Sequence, residues 1–328
     1  MKNNNVIREG SGIVYHYTSL DTFMKIMDGV KGNKFIFHGS DIFSMNDPTE
    51  FYHGYKKLWN LLPQIENDLY YKIRNQQIEI DIDIKVLDEK YKLSEVWKRY
   101  NYSTQDEWLA ARFKEMRESY RTPFVISFSC KRDFLPMWSS YGDNGHGIAL
   151  GIDVQAYYIK KKQGNGETWF DFSNYNAEDM HTLLVSYDKI SLQHPLARIV
   201  QSGISSYVQE LSKMIGNSEQ TEVLQKWALD IIFNFSSALI KNKTYSYEEE
   251  SRLVCYASRL EDIKYKINAN KDVIPYIEVE IPVAKLKEIV IGPCCDYKSV
   301  KQMLVTRFKQ LGISISEDAL SKSGIPFR

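Results

Sequence analysis

Three carboxylates stand in a row in Tyr245-Ser246-Tyr247-Glu248-Glu249-Glu250-Ser251-Arg252-Leu253-Val254-Cys255-Tyr256, ahead of an arginine and a β-prone apolar run. On a strand, side chains alternate between faces. Glu248, Glu250 and Arg252 then share one face, and Glu249 and Ser251 the other. Like charges on one face are unfavourable unless a cation or a ligand offsets them, and Arg252 offsets part of the charge. The stretch is either a solvated strand start with a surface ion pair or a carboxylate pair aimed into a cleft. A pair of this second kind suits acid–base work, or the stabilisation of a cation that develops during reaction.

Three other clusters carry candidate chemistry. Tyr15-His16-Tyr17-Thr18 sets a histidine between aromatics, a structural residue or a ligand contact. Ser44-Met45-Asn46-Asp47-Pro48-Thr49-Glu50 is rich in turn chemistry, and Asn46 and Asp47 are expected to shape that loop through its backbone. Trp138 and Tyr141 stand beside the glycine-rich turn Gly142-Asp143-Asn144-Gly145-His146-Gly147. Two large aromatics there form a stacking surface, or Trp138 is a core residue anchoring the loop. Zinc-type histidine spacings, a serine nucleophile elbow and a phosphate-binding glycine loop are all missing from the sequence.

The elements that must position these residues read as follows. Alternating or β-prone runs predict strands over residues 13–18, 34–38, 124–130, 148–152, 182–187, 276–281, 286–291 and 313–316. Ser19 caps a helix over 20–28 that stops at Gly29. Residues 51–120 carry a charged helical pattern, 195–215 and 219–241 two long amphipathic helices, and 298–311 another. No linker composition flanks 51–120, so it reads as a helical insertion in a single domain spanning 1–328, with a helical pair at about 195–241. Strands and helices intermingle without regular βαβ spacing, which predicts an α+β mixed sheet.

Lys+Arg and Asp+Glu each number 42, so the chain has no general electrostatic hold on nucleic acid, which leaves only a local basic patch for such contact. Cys130, Cys255, Cys294 and Cys295 form no CxxC pair, which fits a reducing cytoplasm. The start, Met1-Lys2-Asn3-Asn4-Asn5, lacks a signal-peptide apolar core, and the apolar run 227–240 is too short to cross a membrane. A cytoplasmic protein is expected.

In order, the motifs are YHYTS at 15–19, SMNDPTE at 44–50, FSC at 128–130, LPMWSSYGDNGHGIALG at 135–151, YSYEEESRLV at 245–254 and KEIVIGP at 287–293. This set resembles the bacterial family called domain of unknown function 2971 along essentially the whole chain, with Tyr245 where that family often has tryptophan. The family in turn resembles ADP-ribosyltransferases. That likeness implies a split mixed β-sheet core with helical insertions and NAD as co-substrate. His16 with Thr18 matches the first transferase motif and Glu248-x-Glu250 the third, while Ser127, Ser129 or Tyr141 fills the middle one. The implied catalytic set is Glu250, Glu248 and Arg252. The implied cofactor-binding set is His16, Tyr17, Thr18, Asn46, Asp47, Trp138 and Tyr141, and no metal is needed.

The function implied is ADP-ribosyl transfer from NAD, or NAD cleavage, by a bacterial toxin or anti-phage effector. It would act on an unidentified acceptor macromolecule and be held by a cognate antitoxin or sensor protein. One alternative is a hydrolase or nuclease-like effector holding a divalent cation with Asp47, Glu50, Glu248 and Glu250. Another is a non-enzymatic module that senses a nucleotide or a partner through the same cleft.

Overall fold

The computed structural model describes residues 12–326 apart from 48, 101, 120–121, 157–159, 162–167, 170–180, 188–189, 215–217 and 268–270. Met1 to Asn5 and Pro48, both used in the sequence reading, lie outside the described residues. The core is a mixed sheet of ten strands. They are β1 (Gly12–Thr18), β2 (Lys34–Asp41), β3 (Phe124–Ser129), β4 (Ile148–Ala156), β5 (His181–Leu184), β6 (Glu250–Cys255), β7 (Lys264–Ile267), β8 (Val273–Pro282), β9 (Leu286–Ile291) and β10 (Leu320–Lys322). Their order is β10-β9-β4-β5-β6-β3-β2-β8-β7, and β1 lies off this path, bonded to β3 and β4. The β4–β5 and β9–β10 pairs are parallel and the rest antiparallel.

One irregularity of this sheet matters for the site. β1 follows β4 along its whole length, from Gly12 opposite Val154 to Thr18 opposite Ile148. It meets β3 at a single register position, Tyr15 opposite Ser129. The sheet therefore parts between β1 and β3.

The helices are α1 (Leu20–Asp28), α2 (Glu50–Arg74), α3 (Gln105–Ser119), α4 (Leu135–Ser140), α5 (Pro195–Lys213), α6 (Ser218–Ala228), α7 (Asn234–Ser237) and α8 (Tyr297–Gln310). Ser19 caps α1 by accepting from the Thr22 amide, and Phe23, Ile26 and Met27 form its buried stripe. That stripe and Phe308 of α8 pack on one face of the sheet, against Ile126, Phe128 and Leu253. On the other face α2, α3 and α5 to α7 enclose a second core with Tyr55, Trp59, Phe233, Val125 and Val254. Among the described residues, no helix is long and apolar enough to cross a membrane.

Period-two alternation then makes a polar island. On β3, Phe124, Ile126 and Phe128 face the α1–α8 core, and Val125 faces the other. Ser127 and Ser129 follow Val125 on its face. On β6, Val254 shares that face with Arg252 and Glu250, and the register sets Ser127 opposite Arg252 and Ser129 opposite Glu250. The apolar layer under the helices thus ends in a charged patch where β1 and β3 part.

Gly54 fixes how α2 approaches that patch. A β-carbon there would lie 2.5 Å from the Ser237 carbonyl oxygen of α7. Glu50 stands one turn earlier on the same face of α2, so this close approach sets its depth.

Two expectations need correction. Residues 313–316 form no strand. Their Ile-Ser-Ile-Ser alternation reflects Ile313 buried and Ile315 packed against the α8 core, while the parallel partner of β9 is Leu320–Lys322. Glu248 is not on a strand either. Lys243–Glu248 is a 3-10 helix, and Glu249 is left-handed, with φ 41° and ψ 54°. The shared-face premise holds for Glu250 and Arg252 alone.

Gly54→Ala is expected to destabilise the fold by about 1–3 kcal/mol, the scale of overpacking, read as a lowered thermal midpoint. Gly12→Ala, where an added carbon meets nothing within 4 Å, serves as the control and is expected to shift it little.

Candidate functional site

Arg252 is fully buried and spends its donors on three groups. Its Nε donates to Glu250 Oε1 at 2.7 Å and its Nη2 to Glu250 Oε2 at 3.0 Å. Nη2 also reaches Glu50 Oε1, and Nη1 donates to the Ala238 carbonyl just past α7 at 2.6 Å. A second buried cation, Lys241, stands beside the same acids. Its Nζ lies 2.6 Å from Glu248 Oε2, 3.0 Å from Glu250 Oε2 and 3.6 Å from Glu50 Oε2. Tyr141 closes the chain, its hydroxyl donating to Glu248 Oε1 at 3.0 Å.

The left-handed Glu249 is what brings Glu248 into this group. It turns the chain between the 3-10 helix and β6, and its own side chain points away to Lys131. The Glu250 amide donates to the Tyr187 hydroxyl, and the Ser129 hydroxyl donates to the Glu248 carbonyl. Both acids are therefore held at backbone and side chain.

The charges respond to this packing. Burial pushes the Glu250 carboxyl up, but Arg252 and Lys241 outweigh it and hold the group down at about 2. For Glu50 burial wins, and its carboxyl is raised despite the same two cations. Burial draws Lys241 down, yet Glu250 and Glu50 more than restore it, so the ammonium stays charged. Burial and the neighbouring Glu248 push the Tyr141 phenol up, keeping it a donor at neutral pH.

These groups form one wall of a cleft of about 590 Å³, a size typical of small-molecule sites. The other wall is β1, with Tyr15, His16 and Tyr17. His16 Nδ1 lies 3.0 Å from the Ser127 carbonyl, and its ring meets Phe37 and Phe128 edge-on. Burial disfavours the charged imidazole more than that bond favours it. The ring is then neutral at pH 7, with its proton on Nδ1 and Nε2 left as an acceptor. Tyr245 lines the cleft and lies 4.8 Å from the Lys241 ammonium, in cation–π contact.

Ser127 separates itself from the other two candidates for the middle position. Ser129 donates to Glu248 and accepts from the Lys131 amide, and Tyr141 is bonded to Glu248. Among the described residues the buried Ser127 hydroxyl has no partner in bonding geometry, although it lies near enough to help hold Glu250 charged. A buried hydroxyl left unpaired at a cleft wall is free to serve a ligand.

Glu250, Glu248, His16, Tyr17, Asn46, Asp47 and Tyr141 all line this cleft, and Arg252 stands directly behind Glu250. Asp47 Oδ1 accepts from the Thr49 amide and hydroxyl, so its carboxylate serves the turn into α2. Trp138 and Thr18 are not at the cleft wall. Trp138 is wholly buried among Tyr17, Met137, Ala149 and Val290, and its indole donates to Asp133. It backs Tyr17 at a ring separation of 4.9 Å. Thr18 is buried where β1 passes the glycine turn, so close that a β-carbon on Gly147 would lie 2.1 Å from its carbonyl oxygen.

Residues 137–253 match the family model described as "Protein of unknown function (DUF2971)". Over that stretch the chain is similar to DUF2971 proteins. The matched stretch begins in α4 and ends in β6, shorter than the whole-chain likeness the motifs implied. It contains Tyr141, Lys241, Glu248, Glu250 and Arg252, whereas His16 and Glu50 come from outside it. No curated protein and no solved structure matches the chain.

Sequence reasoning missed Lys241 entirely and weighed Glu50 as part of the turn capping the next helix or as an oxygen ligand for a metal. Lys241 follows α7 in no recognisable motif; only its burial among acids reveals it.

Arg252→Met leaves three buried carboxylates facing one cation and is expected to cost about 3–5 kcal/mol in urea denaturation at pH 7. Glu250→Gln leaves two carboxylates with two cations and should lose much less. Because the folded-state value of Glu250 is depressed, its contribution is present above the ordinary carboxylate range and fades as pH falls toward about 2. The wild type should therefore lose stability over that acid window more steeply than Glu250→Gln.

Proposed function

We propose that the cleft binds NAD and breaks its nicotinamide–ribose bond, passing the ADP-ribosyl group to an acceptor or to water. The parted β1–β3 sheet is read here as the split core of an ADP-ribosyltransferase-like fold. The observation that carries the proposal is Glu250, a buried carboxylate kept ionised by Arg252 and Lys241, with the Ser127 hydroxyl beside it.

When the C1′–N bond breaks, its electron pair leaves with nicotinamide and positive charge develops on the ribose. A fixed anion beside C1′ stabilises that charge with little reorganisation. Glu250 supplies it. A carboxylate offers about four lone-pair sites. Glu250 spends three of them on Arg252 and Lys241, and Glu248 spends two on Tyr141 and Lys241. Glu248 therefore has more capacity left to accept from a ribose hydroxyl or from the incoming nucleophile, whose proton must leave as the new bond to C1′ forms. Tyr245 and Tyr141, in place of Trp138, offer rings to a base at this end.

The metal-dependent alternative is less well supported. The acids already face Lys241 and Arg252, and among the described residues no group of three or more His, Cys, Asp or Glu is arranged to hold a metal ion. In the cell the proposed activity is that of a toxin or defence effector acting on a macromolecule.

Nicotinamide release from NAD by the purified protein, with and without EDTA, tests the proposal. Release that EDTA leaves intact is expected. It should fall about 100-fold or more in Glu250→Gln, the scale for losing one electrostatic group at a transition state, and by less in Glu248→Gln. NAD binding without turnover would make the chain a nucleotide-binding module, and EDTA-sensitive hydrolysis would return the metal reading.

A further inference from the structure

The far end of the cleft, away from Glu250, is built on β2, β7 and β8. On β2, Ile36, His38 and Ser40 face the cleft, and the register sets Glu280, Glu278 and Tyr276 opposite them on β8. β7 continues this face with Lys264 opposite Tyr276 and Lys266 opposite Ile274. Most charges here are matched. Lys264 pairs with Glu278 at 2.7 Å, Lys34 with Glu280 at 2.6 Å, and Lys25 of α1 with Asp21 at 2.6 Å.

Lys266 is different. It is half-buried and lines the cleft, yet among the described residues it has no carboxylate partner. Its ammonium donates to the Ser40 hydroxyl at 3.2 Å and lies 5.5 Å from the Tyr276 ring. Burial draws its ionisation down, with no acid to restore it. His38 stacks on the same Tyr276 ring at 4.1 Å. Lys266 is near enough to both His38 and His16 to disfavour their protonation. A desolvated cation without a counter-ion is costly, and an arriving anion relieves that cost.

We infer that Lys266, His38 and Ser40 form a phosphoryl-binding subsite that takes the diphosphate of the ligand whose ribose meets Glu250. The ammonium supplies charge, the neutral imidazole an N–H, and the Ser40 hydroxyl a further donor. The cleft is then polar at both ends with opposite preferences. Its Glu248–Glu250 end repels an anion and favours a developing cation, and its Lys266 end does the reverse. A ligand with diphosphate on one side and a cationic leaving group on the other is thereby oriented. The full ligand's identity rests on the NAD proposal, whereas the phosphoryl chemistry of this end stands without it.

Inorganic pyrophosphate, titrated calorimetrically into the full-length protein, tests the subsite apart from any turnover. The wild type should bind it, and Lys266→Met should weaken binding roughly tenfold or more, as expected for losing a hydrogen bond to a charged group. Lys266→Arg should retain most of the affinity, which separates loss of charge from loss of fold. Lys264→Met, at a lysine already paired and outside the cleft wall, should leave binding unchanged. Pyrophosphate that fails to bind, or that binds Lys266→Met as tightly as wild type, overturns the subsite. Pyrophosphate binding without nicotinamide release would keep the subsite and reject NAD cleavage.

Discussion

The buried guanidinium of Arg252 is the interaction on which the rest of the molecule depends. It joins β6 to the start of α2 through Glu50, and to the end of α7 through the Ala238 carbonyl. Taking such a charge out of water costs several kcal/mol, recovered only when every donor finds a well-placed acceptor. Sheet and helical layer must therefore meet in one arrangement. Gly54 permits the approach, and Lys241 balances the acids that Arg252 leaves in excess. An apolar joint of the same volume would hold the layers together without presenting ionised groups to a cleft. The charged joint does both.

The cleft exists because β1 leaves β3 after one register position. Where two strands part, backbone and side-chain polar groups lose their neighbours and need others. His16 fills part of that gap by bonding the Ser127 carbonyl, while among the described residues the Ser127 hydroxyl has no partner in bonding geometry. The charged joint at one end, the parted strands in the middle and Lys266 at the other end form a continuous polar path. It runs between aromatic walls supplied by Tyr15, Phe37 and Phe128.

Much of this was legible from residue patterns. Period-two alternation located β3 and β6, and the Ser19–Gly29 frame bounded α1. The E-x-E-x-R spacing pointed to Glu250 and Arg252 on one face. Other parts had no local signal. Nothing in Glu248-Glu249-Glu250 announces a positive φ, so Glu248 reached the site by a turn that alternation does not describe. Met137-Trp138-Ser139-Ser140-Tyr141 offers two aromatics three apart, one on the short helix α4 and one just past its end, and only packing decides that Trp138 faces the core while Tyr141 reaches Glu248. Lys266 sits in a four-residue edge strand whose Lys-Tyr-Lys-Ile sequence resembles surface charge. Lys241 and Glu50 acquire meaning through partners far away in the chain, and contacts at that range leave no trace in spacing.

A crystal structure of the Glu250→Gln protein soaked with NAD bears most directly on the account, because the cleft walls come from segments far apart in sequence. The nicotinamide ribose should lie against Glu248 and the substituted residue, near the Ser127 hydroxyl, with the diphosphate at Lys266 and His38. NAD bound outside this cleft, or in the reverse orientation with its diphosphate among Glu248, Lys241 and Tyr141, would contradict the account.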